Sequence, residues 1–240
     1  MVLSGTLSVF LLCLLSLSLR GTEAKVLDQN NLATIISYIQ DTYGDEEKQF
    51  AVAINVPARK CTFGIKADQI DLLPYADAQT VKAAMNGAAK VYRGCQLIGA
   101  KPKPIPGKRS NYHSEYLLLI DSDPPGPSSN GPAIRDLLEN NPTGCLIFYT
   151  FNSPCVNTCS TPTKPYSIIP ALEMFKNHAG PKAFVFHKVW QRDVNKTQWE
   201  ANMKEVNARV PLYRCDNGSC TLCVRNNIVD DNCKRNLQQN

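Results

Sequence analysis

Two short stretches constrain this chain more than any other feature: Tyr112-His113-Ser114-Glu115 and Ser153-Pro154-Cys155-Val156-Asn157-Thr158-Cys159. They lie far apart in sequence, and together they hold one imidazole, one carboxylate and two thiols. A catalytic zinc takes three protein ligands and keeps an open position for water. His113, Cys155 and Cys159 are candidate ligands, and Glu115 is a candidate proton shuttle. Taken singly, His113 reads as a surface histidine and Glu115 as a charged residue at a helix start. Only the set of four carries chemistry, so a fold that uses them must bring both stretches to one point.

The sequence between and around them predicts how. Gly144-Cys-Leu-Ile-Phe-Tyr-Thr-Phe151 is the clearest strand, and the second stretch begins just past its end. His113–Ile120 reads as a helix with Leu117, Leu118 and Ile120 apolar. Upstream, Leu32, Ile35, Ile36, Ile39 and Tyr43 recur at helical spacing before Gly44. Phe50–Val56 reads as a buried strand, Asp77–Tyr92 as an Ala-rich helix and Cys95–Gly99 as a second strand. Lys101–Arg109 holds three prolines, a glycine and four positive charges, which is a loop. Ala133–Glu139, Tyr166–His178 and Gln198–Ala208 read as helices, and Ala183–Trp190 as a strand. Strands alternating with helices predict an α/β domain of three layers.

The first residues form a separate unit. An uncharged apolar run from Leu7 to Leu19 is followed by Thr22-Glu23-Ala24, the pattern of a secretory signal peptide over residues 1–24. The run is shorter than the roughly 18–20 residues a membrane span needs. The expectation is a secreted chain with no membrane span, comprising a domain over 25–212 and a Cys-rich tail over 213–240. The net charge of +5 is compatible with a nucleic-acid partner and does not demand one. Asn195-Lys-Thr197 and Asn217-Gly-Ser219 are glycosylation sequons.

Secretion favours disulfides. Cys13 leaves with the leader; if Cys155 and Cys159 bind zinc, seven cysteines remain. Cys145, inside the strongest strand, reads as a buried free thiol. Cys61, Cys95, Cys215, Cys220, Cys223 and Cys233 are then the candidates for bridges, with at least one bridge stapling the tail. Connectivity stays open. In the rival reading all nine mature cysteines are structural, and Cys155 and Cys159 lie in disulfides.

The His-x-Glu and Ser-Pro-Cys elements resemble those of the zinc-dependent nucleobase deaminases, whose signature is H-x-E…P-C-x-x-C. With the leader in front, residues 45 to 210 resemble the secreted AID/APOBEC-like deaminases, the SNAD clade. The resemblance implies a cytidine-deaminase-like fold with a central mixed sheet flanked by helices. It also implies Zn2+ as cofactor and hydrolytic deamination of cytosine in single-stranded DNA or RNA or in a nucleoside, in defence against foreign nucleic acid. Cys155 would sit at a helix N-terminus, with Ser114 merely spacing the two working residues. In the family, the loop before the first motif and the loop after the fourth strand flank the pocket. Here these are Lys101–Arg109, with Lys108 and Arg109, and Trp190-Gln-Arg192; Tyr112 is a further candidate for the pocket wall. One departure stands out: the chain has Cys-x-x-x-Cys. Positions three and four apart share a helix face, so the extra residue is accommodated by a distorted first turn. Two other classes fit the residues less well: a non-catalytic secreted binding protein on the same scaffold, and a disulfide-rich protein without metal.

Overall fold

The apolar stripe Leu32, Ile35, Ile36, Ile39 and Tyr43 forms the buried face of helix α1 (Gln29–Tyr43) in the computed structural model of the protein. Asp28 caps it by accepting a hydrogen bond from Asn31 N at 2.9 Å. The structure describes residues 27–45, 48–62, 72–73, 76–124 and 131–234. The leader expected over residues 1–24 lies outside them.

After α1 the described elements follow in order. They are β1 (Ala51–Val56), α2 (Arg59–Thr62), α3 (Ala78–Asn86), β2 (Val91–Arg93), β3 (Leu97–Ala100), β4 (Lys103–Pro104) and β5 (Asn111–Tyr112). Then come α4 (Ser114–Leu119), α5 (Ala133–Asn140), β6 (Cys145–Asn152), α6 (Glu173–Lys176), β7 (Lys182–Lys188) and α7 (Gln198–Asn207). Strands β8 (Leu212–Asp216), β9 (Ser219–Leu222), β10 (Val224–Arg225) and β11 (Ile228–Val229) and helix α8 (Asp231–Lys234) complete them. Seven strands make one sheet in the order β2-β3-β1-β6-β7-β8-β9. β1 is antiparallel to β3 and β6, β7 is parallel to β6 and β8, and β9 returns antiparallel on β8. The sheet is therefore mixed.

The long apolar runs are strands because both sheet faces are covered. Along β6, Leu146 and Phe148 face one core, while Cys145, Ile147 and Tyr149 face the other. Along β7, Phe184 and Phe186 alternate with Ala183 and Val185 in the same way. One core is closed by α4, α5 and α7, the other by α1, α2 and α3. This is the expected three-layer α/β architecture. Phe148 and Phe184 stack across β6 and β7 with ring centroids 4.9 Å apart; burying each such side chain is worth about 1.5–3 kcal/mol.

Four local expectations are corrected. The Ala-rich stretch is helical only to Asn86; Gly87 ends it, Lys90 turns the chain with φ 62°, and Val91–Arg93 becomes an edge strand. Between Tyr166 and His178 only Glu173–Lys176 is α-helical, because Pro170 has no N–H to donate and disfavours helix in the residue before it. Cys145 is not a free thiol: it is bridged to Cys61. It points into the α1–α3 core, where Cys61 of α2 meets it, so a place inside a strand did not isolate it. Cys95 is not bridged; it is exposed at the turn between β2 and β3. The other two bridges, Cys215–Cys220 and Cys223–Cys233, staple the C-terminal segment. That segment also completes the sheet through β8 and β9. Among the described residues no helix is long and apolar enough to cross a membrane.

Candidate active site

The parallel strands β6 and β7 end on the same side of the sheet, and β1, antiparallel to β6, begins there. Crevices outside the carboxyl ends of parallel strands are where open α/β sheets bind ligands. Here that edge opens into a cleft of about 400 Å³ that includes His113, Glu115, Cys155, Trp190, Arg109 and Arg192 among its lining residues.

His113 has an extended backbone (φ −75°, ψ 152°) and starts α4; its carbonyl accepts from Leu117 N at 3.1 Å. Its Nδ1 lies 3.2 Å from Cys159 Sγ. Glu115, in the first turn of α4, is 1% exposed. Donor atoms of His113, Glu115 and Cys159 all lie within 4.8 Å of one another, a group able to hold a metal ion. Cys155 faces the same cleft but stands outside this tight group.

The Glu115 carboxylate is held by neutral donors. Thr150 Oγ1 donates to Oε1 at 2.8 Å and Gln49 Nε2 approaches it at 3.3 Å. Ser114 Oγ lies 3.5 Å from Oε2. Ser114 thus does more than space its neighbours: it is fully buried and bonded to Gln49 as well.

The second stretch is a turn and not a helix start. Thr158 N and Ser160 N both donate to Cys155 O, at 3.3 and 3.0 Å. The wide bond from Ser160 accommodates the fourth residue of the Cys-x-x-x-Cys spacing. Pro162, Pro165 and Pro170 interrupt the chain that follows, and no helix forms before α6 at Glu173. The turn is braced from two sides. Asp193, fully buried, accepts from Val156 N at 2.9 Å and from Lys196 Nζ at 2.7 Å. Asn202 of α7 donates to Ser160 and Thr161. Ser153 accepts from Trp190 N and Trp199 Nε1, both at 3.2 Å, and so ties the ends of β6 and β7 together.

Trp190 meets His113 edge-on with ring centroids 6.0 Å apart, and the Arg192 guanidinium lies 5.5 Å over the Trp190 ring. Arg109 is exposed on the cleft rim. Tyr112 and Lys108 do not line the cleft. Tyr112 is buried, stacked on Tyr116 and edge-on to Tyr166. Lys108 Nζ sits 5.9 Å from the Tyr166 ring centre, and it is Tyr166 that reaches the cleft. Asn195 is exposed just after the turn that carries Arg192. Asn217 is exposed at the β8–β9 turn with φ 48°.

A family model described as Secreted Novel AID/APOBEC-like Deaminase 1 matches residues 29–237. The chain belongs to this deaminase family. No curated protein and no solved structure matches it. The zinc deaminases hold their metal with His and Cys ligands, and the donor set of this family member fits. One imidazole and two thiols suit zinc. Burial pushes the Cys155 thiol up, and burial followed by the Glu115 carboxylate pushes Cys159 well up. Both sulfurs therefore need a cation beside them to stand as thiolates.

Gln49, Thr150 and Asn152 were not singled out from the sequence. The available signal was Thr150, a hydroxyl within an otherwise apolar strand and fully buried. Gln49 gives no signal until the β1–β6 register is known.

Proposed function

We propose that this protein is a secreted, zinc-dependent hydrolytic deaminase acting on cytosine in single-stranded nucleic acid or in a nucleoside. The observation that carries the reading is the convergence of His113 Nδ1 and Cys159 Sγ at 3.2 Å with a buried Glu115 carboxylate beside them, at an open cleft. His113, Cys155 and Cys159 hold the metal. When bound, zinc supplies the Lewis acidity that makes water a usable nucleophile near neutral pH. Glu115 takes one proton from the attacking water and gives it to the ring nitrogen, then takes the second from the hydroxyl now on the carbon and gives it to the amine, which departs as ammonia. Trp190 offers a face for the base, and Arg109 and Arg192 offer charge to flanking phosphates. The buried position of Glu115 supports a working role, since no ion pair compensates it among the described residues, and an uncompensated buried carboxylate costs stability.

A second reading, a non-catalytic binding protein on the same scaffold, is favoured by one observation: Cys155 stands outside the tight donor group. Metal analysis of the mature protein tests the site. About one zinc per chain is expected, the stoichiometry of a single three-ligand centre. His113→Ala and Cys155→Ser should each lose it. A Cys155 found in a disulfide in native material, or a protein that binds no zinc, would end the zinc reading.

A further inference from the structure

Gln49 stands immediately before the buried run of β1. Antiparallel pairing of Ala51 with Thr150 brings residue 49 opposite residue 152 and close to α4. Gln49 Oε1 accepts from Asn152 N at 2.9 Å and from Asn152 Nδ2 at 2.7 Å. A backbone N–H can only donate, so the amide is oriented without ambiguity: its oxygen faces Asn152 and its nitrogen faces α4. From there Nε2 donates to Thr150 Oγ1 at 2.8 Å and reaches Ser114 Oγ at 3.2 Å and Glu115 Oε1 at 3.3 Å. Thr150 has one hydroxyl proton, and it goes to Glu115 Oε1 at 2.8 Å. A directed chain therefore runs from the Asn152 backbone through Gln49 and Thr150 to one oxygen of the carboxylate. Among the described residues, the other oxygen, Oε2, has one hydrogen-bond partner, Ser114 Oγ at 3.5 Å.

We infer that Gln49 is a positioning residue: acting through Thr150, it ties down Oε1 of Glu115 and leaves Oε2 as the oxygen that exchanges protons during the reaction. This rests on Glu115 being the proton shuttle of the deaminase proposed above. A carboxylate in use for several successive transfers must present the same oxygen each time. Two neutral donors achieve that without a cation, which would hold the proton acceptor too weakly basic for its task. Gln49 also lines the cleft, so contact with substrate is the competing role, and the two roles separate in kinetics.

The variants are Gln49→Leu, Gln49→Glu and Thr150→Val, each compared with wild type at measured zinc content. Loss of a supporting partner of this kind costs about 10–100-fold in activity. The expected pattern is a fall of that size in kcat with KM and zinc content unchanged, and no further loss when Gln49→Leu is added to Glu115→Gln. A raised KM with unchanged kcat would make Gln49 a substrate contact and overturn the inference. Unchanged turnover per folded molecule would overturn it too. If Gln49→Leu does not fold, Thr150→Val, which keeps the size and removes the hydroxyl that links Gln49 to Oε1 of Glu115, carries the same test. Should wild type deaminate none of the substrates offered, that failure belongs to the function. The inference is then decided by denaturation midpoints. The shift caused by Gln49→Leu should shrink at least about twofold in a Glu115→Ala background; the same shift in both backgrounds would overturn it.

Discussion

Replacing Cys61 and Cys145 together by alanine opens the longest disulfide-closed loop among the described residues. The two residues are 84 positions apart, whereas Cys223–Cys233 spans 10 and Cys215–Cys220 spans 5. In the chain-entropy treatment, the stabilisation from a bridge grows with the logarithm of the loop it closes. It comes to about 4.6 kcal/mol for Cys61–Cys145, about 2.7 for Cys223–Cys233 and about 2.1 for Cys215–Cys220. Burial does not disturb the order: Cys61, Cys145, Cys223 and Cys233 are all fully buried, whereas Cys215 and Cys220 are slightly less so. Alanine keeps the sites apolar and avoids burying an unpaired hydroxyl. Urea titrations of the three double variants, followed by tryptophan fluorescence, give the three costs on a common scale. The predicted ranking is Cys61/Cys145 first, then Cys223/Cys233, then Cys215/Cys220. Loss of Cys61–Cys145 should remove a large part of the total stability of a domain this size, for which about 5–15 kcal/mol is usual. Equal costs for all three pairs, or a larger cost for the short tail bridges, would refute the loop-closure reasoning.

Two further outcomes follow from the start of β6. A Cβ on Gly180 would lie 1.7 Å from Gly144 O and 2.7 Å from Thr143 O; Gly180→Ala should therefore cost about 3 kcal/mol, the upper end of overpacking penalties, read as a lowered urea midpoint. The buried His178 donates to the same Gly144 carbonyl at 2.7 Å, and burial holds its pKa below the ordinary 6.5, helped by the charge of Lys182 and opposed by the hydrogen bond. A lowered folded value means the unfolded chain binds the proton more tightly, so this stability is present above pH 6.5 and is lost as pH falls from there through the lowered value. Across that window wild type should lose more stability than His178→Gln, and parallel pH profiles would contradict the assignment.

The strands were legible because both their faces are buried, which writes them as apolar runs such as Phe50–Val56 and Gly144–Phe151. The layers followed from the alternation of those runs with helical stripes. The imidazole, carboxylate and thiols of the cleft were legible by residue type, since few local roles ask for His-x-Glu and a distant Cys pair together. Contacts decided by register were not legible. Gln49 matters because Ala51 lies opposite Thr150, and Cys145 finds Cys61 across 84 positions. The stretch from Tyr166 to His178 misled because Ile168, Ile169, Leu172 and Phe175 sit at helical spacing. They are buried, but on a chain that Pro170 keeps largely out of the helix. The turn after Cys155 misled for a related reason: its capping bonds go to one carbonyl and stop there.

The central claim is that the Glu115 carboxylate moves protons in a hydrolytic deamination. Glu115→Gln keeps size and leaves the proposed ligands His113, Cys155 and Cys159 in place, but an amide cannot accept the proton of water. The direct measurement is uracil formation by zinc-matched wild type and Glu115→Gln. The substrates are cytosine-rich single-stranded DNA and RNA, then cytidine and deoxycytidine. Uracil should form with wild type and fall by about 10²–10⁴-fold or more in the variant, the range for loss of a general acid–base group. Equal rates in the two proteins, or none from zinc-loaded wild type on any of these substrates, would contradict the account.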